Sequence, residues 1–111
     1  DISYTGGLYD ISDRRLKTQI DPLAGSLEKL LHISGVYYYL KANMKLGRQV
    51  GVIAQEVESV LPEAVQTQSS GTKMVDYTRL IPLLIEAVKA QQKQIEQLRL
   101  ELNSLRHETL K

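Results

Sequence analysis

The chain has 111 residues, enough for one ordinary domain or for a smaller domain with an extended element, which excludes a large multidomain enzyme. Its 14 Lys and Arg nearly balance 13 Asp and Glu, and a net charge of +1 indicates no polyanionic partner. Cysteine is absent, which excludes disulfide scaffolds, cysteine zinc sites and thiol nucleophiles. No apolar run approaches about 18 residues, so the sequence predicts neither a membrane partner nor a secretion signal.

The composition changes along the chain and indicates three parts. All six tyrosines lie at or before Tyr77, and Leu, Ile, Gln and charged residues dominate after it. Residues 1–11 alternate polar and apolar side chains around a Gly-Gly pair, which is typical of two short strands joined by a turn. We expect this segment to be the end of a longer β-rich element, followed by a core at 12–76 and a helical part at 77–111.

The first half of the core has signals for one helix and one hairpin. Asp21 can cap a helix with Pro22 in its first turn, and the leucines that follow recur at helical spacing. These residues predict a helix over 22–33. The segments 36–40 and 49–53 are rich in residues that favour strands and predict an antiparallel hairpin.

Tyrosine is the only aromatic residue type, since Phe and Trp are absent, so the core must be mainly aliphatic. Tyr37, Tyr38 and Tyr39 alternate between the two faces of the first predicted strand. Because two of the three share one face, we expect that pair to cover the core.

The second half of the core repeats this organisation. A short helix is predicted over 54–60 and is ended by Pro62. The segments 64–68 and 72–75 flank a Ser-Ser-Gly turn and predict a second hairpin. The fold class that follows is α+β, a small unit of antiparallel strands and helices followed by a long C-terminal helix.

The C-terminal part carries a heptad repeat typical of a coiled coil. A lone helix would leave this stripe in water, whereas association with copies of itself buries each aliphatic side chain for about 1.5–3 kcal/mol. We therefore expect self-association. Seven of the nine positions of this seam are aliphatic, and the nine are Ile81, Leu84, Val88, Gln91, Ile95, Leu98, Leu102, Leu105 and Thr109.

Two features of this helix leave alternatives open. Ile or Val at position a with Leu at position d favours two strands, but Gln91 and the adjoining core can override that preference, so the heptads allow a dimer or a trimer. Pro82 predicts either a kink or a helix that begins near it, with Asp76 as the cap if the helix starts earlier. Glu101 and Arg106 occupy positions that favour an interchain pair in parallel strands.

Ser12 and Lys17 are the residues with the clearest chemical potential. A lysine can accept the proton of a serine hydroxyl only as the neutral amine, which burial or nearby positive charge favours. Arg14 and Arg15 could supply that charge. Gln55, at the start of the helix over 54–60, could donate a hydrogen bond to a developing oxyanion.

Other site classes have little support in the sequence. His32 and His107 have no carboxylate cluster at ligand spacing, so no metal is proposed. There is no glycine-rich phosphate loop, and one Arg-Arg pair with three tyrosines is too little for a nucleic-acid surface. We therefore expect no cofactor and no nucleic-acid partner.

Three motifs occur in order along the chain: SDRRLK at 12–17, GVIAQEVESVLPEAV at 51–65, and VDYTRLIPLLIEAVKAQQKQIEQL at 75–98. Together they resemble the intramolecular chaperone of endosialidase family, also classed as the S74 peptidases. The resemblance covers residues 12–100. Members lie at the C-terminus of phage tail spikes and tail fibres, so the resemblance implies a virion location.

The resemblance also implies an activity. The domain would form a homotrimeric coiled coil, hold an upstream β-rich stalk of the same polypeptide in register while it folds, and then cut itself off. The nucleophile would be Ser12 and the general base Lys17, with Asp13, Gln55 and Glu56 as supporting residues. The bond cut would join Ile11 to Ser12, which makes residues 1–11 the end of the stalk.

Two alternatives compete with this self-cleaving chaperone. One is a structural trimerisation cap that holds the chains in register and never cuts. The other is a coiled-coil adaptor that binds a foreign partner helix, which the self-complementary seam disfavours.

Overall fold

Two antiparallel strand pairs and one long helix make up the fold in the computed structural model, which describes residues 9–109. Short 3-10 turns at Arg14–Leu16, Met44–Leu46, Pro62–Ala64 and Tyr77–Arg79 connect the main elements. The main elements are α1 (Ser26–Leu30), β1 (Val36–Tyr38), β2 (Gln49–Gly51), α2 (Ala54–Val60), β3 (Val65–Thr67), β4 (Lys73–Val75) and α3 (Leu80–Thr109).

Both predicted hairpins are confirmed, with shorter strands than expected. In the first, Tyr37 lies opposite Val50, and in the second, Gln66 lies opposite Met74. The turn of the second hairpin needs Gly71, whose φ of +92° is in the left-handed region that glycine tolerates. The predicted strands of residues 1–11 fall mainly on residues 1–8, which lie outside the described residues.

The first predicted helix is shorter than expected. It was predicted over 22–33, and α1 begins only at Ser26. The reason is Gly25, which adopts a φ of +67° and so interrupts any helix that starts at Pro22. The Ser26 hydroxyl instead donates a hydrogen bond to the carbonyl of Leu23 and closes a local turn.

The tyrosine prediction was wrong. Tyr37 and Tyr39 do share one face of β1, but both are exposed in the single chain. The inner face of the pair carries Tyr38 and Gly51, whereas no described element covers the outer face. The guanidinium of Arg48 lies over the Tyr37 ring, 3.4 Å from its centroid, which is a cation–π contact.

The core lies where α2 and the turn after it meet the start of α3. Its buried members are Val57, Leu61, Ala64, Leu80 and Leu83. Full burial of Val57 and Leu83 contributes about 1.5–3 kcal/mol for each side chain. Strands β3 and β4 add partly buried valines at its edge, so the core is small and aliphatic.

The long helix α3 has two apolar faces. Leu80, Leu83 and Ala87 recur at helical spacing and are buried against the body, residues 26–79. The aliphatic seam residues lie on another face and are exposed in the single chain. The helix begins at Leu80, so Pro82 falls in the first turn, where its missing N–H has no helical partner to lose.

No helix within residues 9–109 combines the length and apolar character that a membrane span requires.

The contact between Gly51 and Tyr77 connects the first hairpin to the start of α3. The Tyr77 hydroxyl accepts a hydrogen bond from the backbone N–H of Val52 at 3.1 Å. A β-carbon on Gly51 would lie 2.5 Å from that hydroxyl and 3.1 Å from the Tyr38 ring. Only glycine fits between the two rings.

We expect Gly51→Ala to lower the free energy of unfolding by about 1–3 kcal/mol, the usual cost of overpacking, because the Tyr77 ring must move away from Val52. Denaturant unfolding at a fixed chain concentration measures the change. Gly35→Ala is the matched control, since no atom lies within 4 Å of the added carbon. Equal stability of the two variants would contradict this account of the contact.

Candidate active site

One short turn brings Ser12 and Lys17 together. Asp13 caps the 3-10 turn Arg14–Leu16 by accepting a hydrogen bond from the Arg15 backbone N–H at 3.0 Å. The turn closes when the Lys17 N–H donates to the Arg14 carbonyl at 3.2 Å. As a result, Lys17 Nζ lies 2.7 Å from Ser12 Oγ and donates a hydrogen bond to it. These two residues are called the dyad below.

The charge of Arg15 is engaged by Asp13. Its guanidinium contacts the Asp13 carboxylate at 2.8 Å in a two-pronged ion pair. The hydrogen bond from Arg15 holds the pKa of Asp13 below its usual value, and the same bond raises the pKa of Arg15. Asp13 therefore shapes the turn, and it neutralises one of the two arginines that could have favoured a neutral lysine. Its predicted support of the reaction stays a prediction.

The dyad lies on one side of a broad, open groove of about 1000 Å3. Residues 9–11, which precede the predicted cleavage point, line the same groove. Glu63, residues of strands β3 and β4, and the start of α3 line it as well. Ser12 and Lys17 are both exposed in the single chain, so nothing within residues 9–109 shields them from water.

A second hydrogen-bonded cluster also lines the groove. The Asp76 carboxylate accepts from the Thr78 backbone N–H at 3.1 Å and from its hydroxyl at 2.6 Å. Arg79 Nε donates to the same carboxylate at 3.2 Å. The Thr78 hydroxyl is the main cause that holds the pKa of Asp76 below its usual value, with Arg79 adding to the effect. The sequence identified Asp76 as a helix cap, and the cap is confirmed for the turn Tyr77–Arg79 that leads into α3.

Gln55 and Glu56 lie away from the dyad within one chain. Glu56 accepts a hydrogen bond from the Ser34 backbone N–H at 2.9 Å, which ties α2 to the residues before β1. Gln55 is exposed on α2, and neither residue lines the groove. Their predicted support of Ser12 stays a prediction.

Sequence reasoning missed Glu63, Thr78 and Arg79 as groove residues. They are separated from the dyad by more than 40 positions, and no spacing rule connects such distant segments. The signal that the sequence did give was motif membership: Glu63 lies in the second motif, and Thr78 and Arg79 lie in the third. Among residues 9–109, no group of His, Asp and Glu is arranged to hold a metal ion.

A comparison with protein-family models matches residues 12–66 to chaperone of endosialidase, the S74 peptidase family. The matched segment begins at Ser12 and includes the dyad. The chain belongs to this family. The resemblance seen in the sequence motifs is thereby confirmed.

Relatives of the chain are long tail fibre proteins Gp37 of several phages. The protein of Enterobacteria phage K3 is 34% identical over 99 residues, which is 82% of this chain and 8% of that protein. The protein of Salmonella phage S16 is 32% identical over 104 residues, 86% of this chain and 14% of that protein. For Enterobacteria phage M1 the identity is 34% over 101 residues, 83% of this chain and 40% of that protein. The chain thus spans less than half the length of each.

We expect Asp76→Ala to lower the free energy of unfolding by about 1 kcal/mol near neutral pH, because the turn before α3 loses its cap. The pKa of Asp76 is lower in the folded state than its ordinary value of 3.8, so the carboxylate stabilises the fold above that value. This contribution is lost as the pH falls through the folded-state pKa. Denaturant unfolding of the unaltered chain and of Asp76→Ala, at pH 7 and in strong acid, measures the difference in stability. A difference in strong acid as large as that at pH 7 would contradict the role of the Asp76 carboxylate.

Proposed function

We propose that this chain is a self-cleaving intramolecular chaperone domain of a phage tail fibre or tail spike protein. It trimerises through α3, guides the folding of an upstream β-rich segment of the same polypeptide, and releases itself between Ile11 and Ser12. The observation that carries the proposal is the 2.7 Å contact between Lys17 Nζ and Ser12 Oγ at the start of the segment that matches the family. Since the relatives are named as tail fibre proteins, the proposed place of action is the virion and its assembly.

The proposed reaction begins with the uncharged amine of Lys17. It takes the proton of the Ser12 hydroxyl, and Oγ attacks the carbonyl carbon of Ile11. The C–N bond to Ser12 breaks, the freed amine of Ser12 takes the proton from Lys17, and the acyl group is now held as an ester on Oγ. Water then hydrolyses the ester, which gives an Ile11 carboxylate and restores the Ser12 hydroxyl.

The seam supports the proposed trimer. Its aliphatic residues form one exposed stripe along α3, while the side of the helix that faces the body is already buried. Burial of the stripe between parallel chains supplies the free energy for assembly. Glu101 and Arg106 flank the stripe and favour the parallel register.

Cleavage after assembly would make folding of the stalk irreversible. Three chains held at their C-terminal ends place the upstream segments at high local concentration and in register. Once the domain is removed, the folded segments no longer have the clamp that would guide the reverse path. In this proposal residues 1–11 are the end of the stalk, 12–76 the chaperone and peptidase core, and 77–111 the coiled coil.

A second candidate function is a trimerisation cap that never cuts. The exposed seam alone favours it, because holding chains in register requires no chemistry. In that case Lys17 and Ser12 would be an ordinary hydrogen-bonded pair on the surface.

We expect Ser12→Ala to abolish cleavage and to leave assembly intact, because it removes the nucleophile from an exposed site. Lys17→Arg keeps the positive charge but removes the base, and should slow cleavage by about 10²–10⁴-fold. Intact-mass measurement of a chain with its upstream segment detects the new termini at Ile11 and Ser12.

Lys93→Gln is the matched control for these variants, since Lys93 is exposed on α3, lies outside the seam and is far along the chain from the dyad. It should cut like the unaltered chain. An uncut mass for the unaltered chain would reject the peptidase and leave the cap.

We expect Leu98→Glu to abolish trimerisation, because it places a carboxylate in the seam. Leu100→Glu is the control: Leu98 and Leu100 are 63% and 65% exposed in the single chain, but only Leu98 occupies a seam position. Light scattering should give the trimer mass for Leu100→Glu and a lower mass for Leu98→Glu. Equal masses for both variants would show that the heptad assignment is wrong.

A further inference from the structure

The groove around the dyad is lined by carboxylates that no cation within residues 9–109 neutralises. Asp10 and Glu63 line it, and neither forms an ion pair among the described residues. Arg79, the other cation of the groove, is held by Asp76. Carboxylates near an amine favour its charged form, whereas a general base must be uncharged. Among the described groove residues other than Lys17, a single chain therefore offers no free cation to offset these carboxylates.

The chain has a source of positive charge elsewhere. Residues 29–55 contain Lys29, Lys41, Lys45 and Arg48 and no Asp or Glu. Residues 56–76 contain four acidic residues against one lysine. Glu58 and Asp76 are ion-paired within the chain, which leaves Glu63 as the groove carboxylate of this segment that a cation of another copy could meet in a head-to-tail contact.

The outer side of the β1–β2 pair is the part of this basic region that suits a contact. Tyr37 and Val50 lie opposite each other and are 66% and 74% exposed. Tyr39 and Arg48 fall on the same side because they are two positions away along each strand. These four residues are called the β1–β2 face. The contact of Arg48 with the Tyr37 ring holds the guanidinium on this face.

The geometry of α3 places a neighbouring body near the groove. Successive residues are about 100° apart around a helix, so the seam lies between the side buried by the body and Ile85, which is 52% exposed. Pro82 and Arg79 follow Ile85 around the helix, and both line the groove. In a ring of three, each chain presents one side to one neighbour and a different side to the other. Because the chain's own body covers the other side of α3, the body of the next chain approaches α3 on the side of Ile85.

We propose that, in the trimer, the β1–β2 face of one chain packs beside Ile85 of the next chain, so that Arg48 reaches Glu63 at the mouth of the groove. The occupant of the face is a second copy of this chain. The packed face excludes water from the dyad, and the guanidinium offsets the carboxylates. Both changes favour the neutral amine of Lys17. The inference rests on the proposed function and explains how assembly would switch on a dyad that is already aligned in each chain.

Crosslinking tests the packing without relying on cleavage. The chain has no cysteine, so Arg48→Cys with Glu63→Cys, in a Ser12→Ala background, introduces the only thiols. Mild oxidation should give chains joined in threes on a non-reducing gel. Lys93→Cys with Glu63→Cys is the control and should stay monomeric on the gel. Monomers from both cysteine pairs would overturn the packing. The same result is expected if the upstream segment, and not a second copy, occupies the face.

Mixed trimers test the activation. Arg48→Glu should still trimerise by light scattering but cut at least about tenfold more slowly, since a close charge shifts such an equilibrium by one to three orders of magnitude. Lys93→Glu, which reverses an exposed charge outside the seam, should cut normally. Ser12→Ala chains cannot cut but still carry Arg48. When they are assembled with Arg48→Glu chains, they should restore cutting of the Arg48→Glu chains.

The outcomes separate the two proposals. Arg48→Glu chains that stay uncut in mixed trimers, or that cut normally alone, would overturn activation by the neighbour while the proposed function stands. An unaltered chain that does not cut would reject the peptidase and the activation together. Crosslinking in threes would then still support the packing, as an interface of a non-cleaving cap.

Discussion

The two apolar faces of α3 are the constraint on which the rest of the molecule depends. One face completes a core with five buried apolar side chains among the described residues, and the other is a long aliphatic stripe in contact with water. A core of this size contributes only modestly against the conformational entropy of about one hundred ordered residues. The proposed burial of the stripe between chains would add stability that one chain cannot provide. Folding and assembly would then be one event.

The alignment of the dyad depends on one short turn. Three backbone and capping hydrogen bonds close the turn Arg14–Leu16, and they suffice to place Lys17 beside Ser12 in a single chain. The alignment of Ser12 and Lys17 is therefore set locally. Within the described residues, the single chain neither excludes water from the dyad nor places a free cation beside the groove carboxylates. Under the proposed function it is useful that alignment occurs in one chain and activation only in the trimer, because a premature cut would release the domain before the upstream chains are in register.

The sequence predicted those features whose causes are local. Hairpin turns, the short α2 helix, the heptads of α3 and the five-residue spacing of Ser12 and Lys17 are all set by neighbours in the chain. The start of α1 was missed because the left-handed conformation of Gly25 competes with a good proline start, and propensity alone does not rank the two. The exposure of Tyr37 could not be predicted, since strand alternation gives two faces but not which one is covered. The groove partners Glu63 and Arg79 required the tertiary arrangement itself.

The contact between Ser12 and Lys17 has one further consequence for the products. A cut at this point creates a free amino terminus on Ser12, whose hydroxyl already lies 2.7 Å from Lys17. An ordinary amino terminus has a pKa of about 8, so below about pH 8 it carries a proton and is no longer a nucleophile. The loss of a free amine able to attack the departed acyl group disfavours religation. Under the proposed function, the pair that opens the peptide bond would be unable to reseal it.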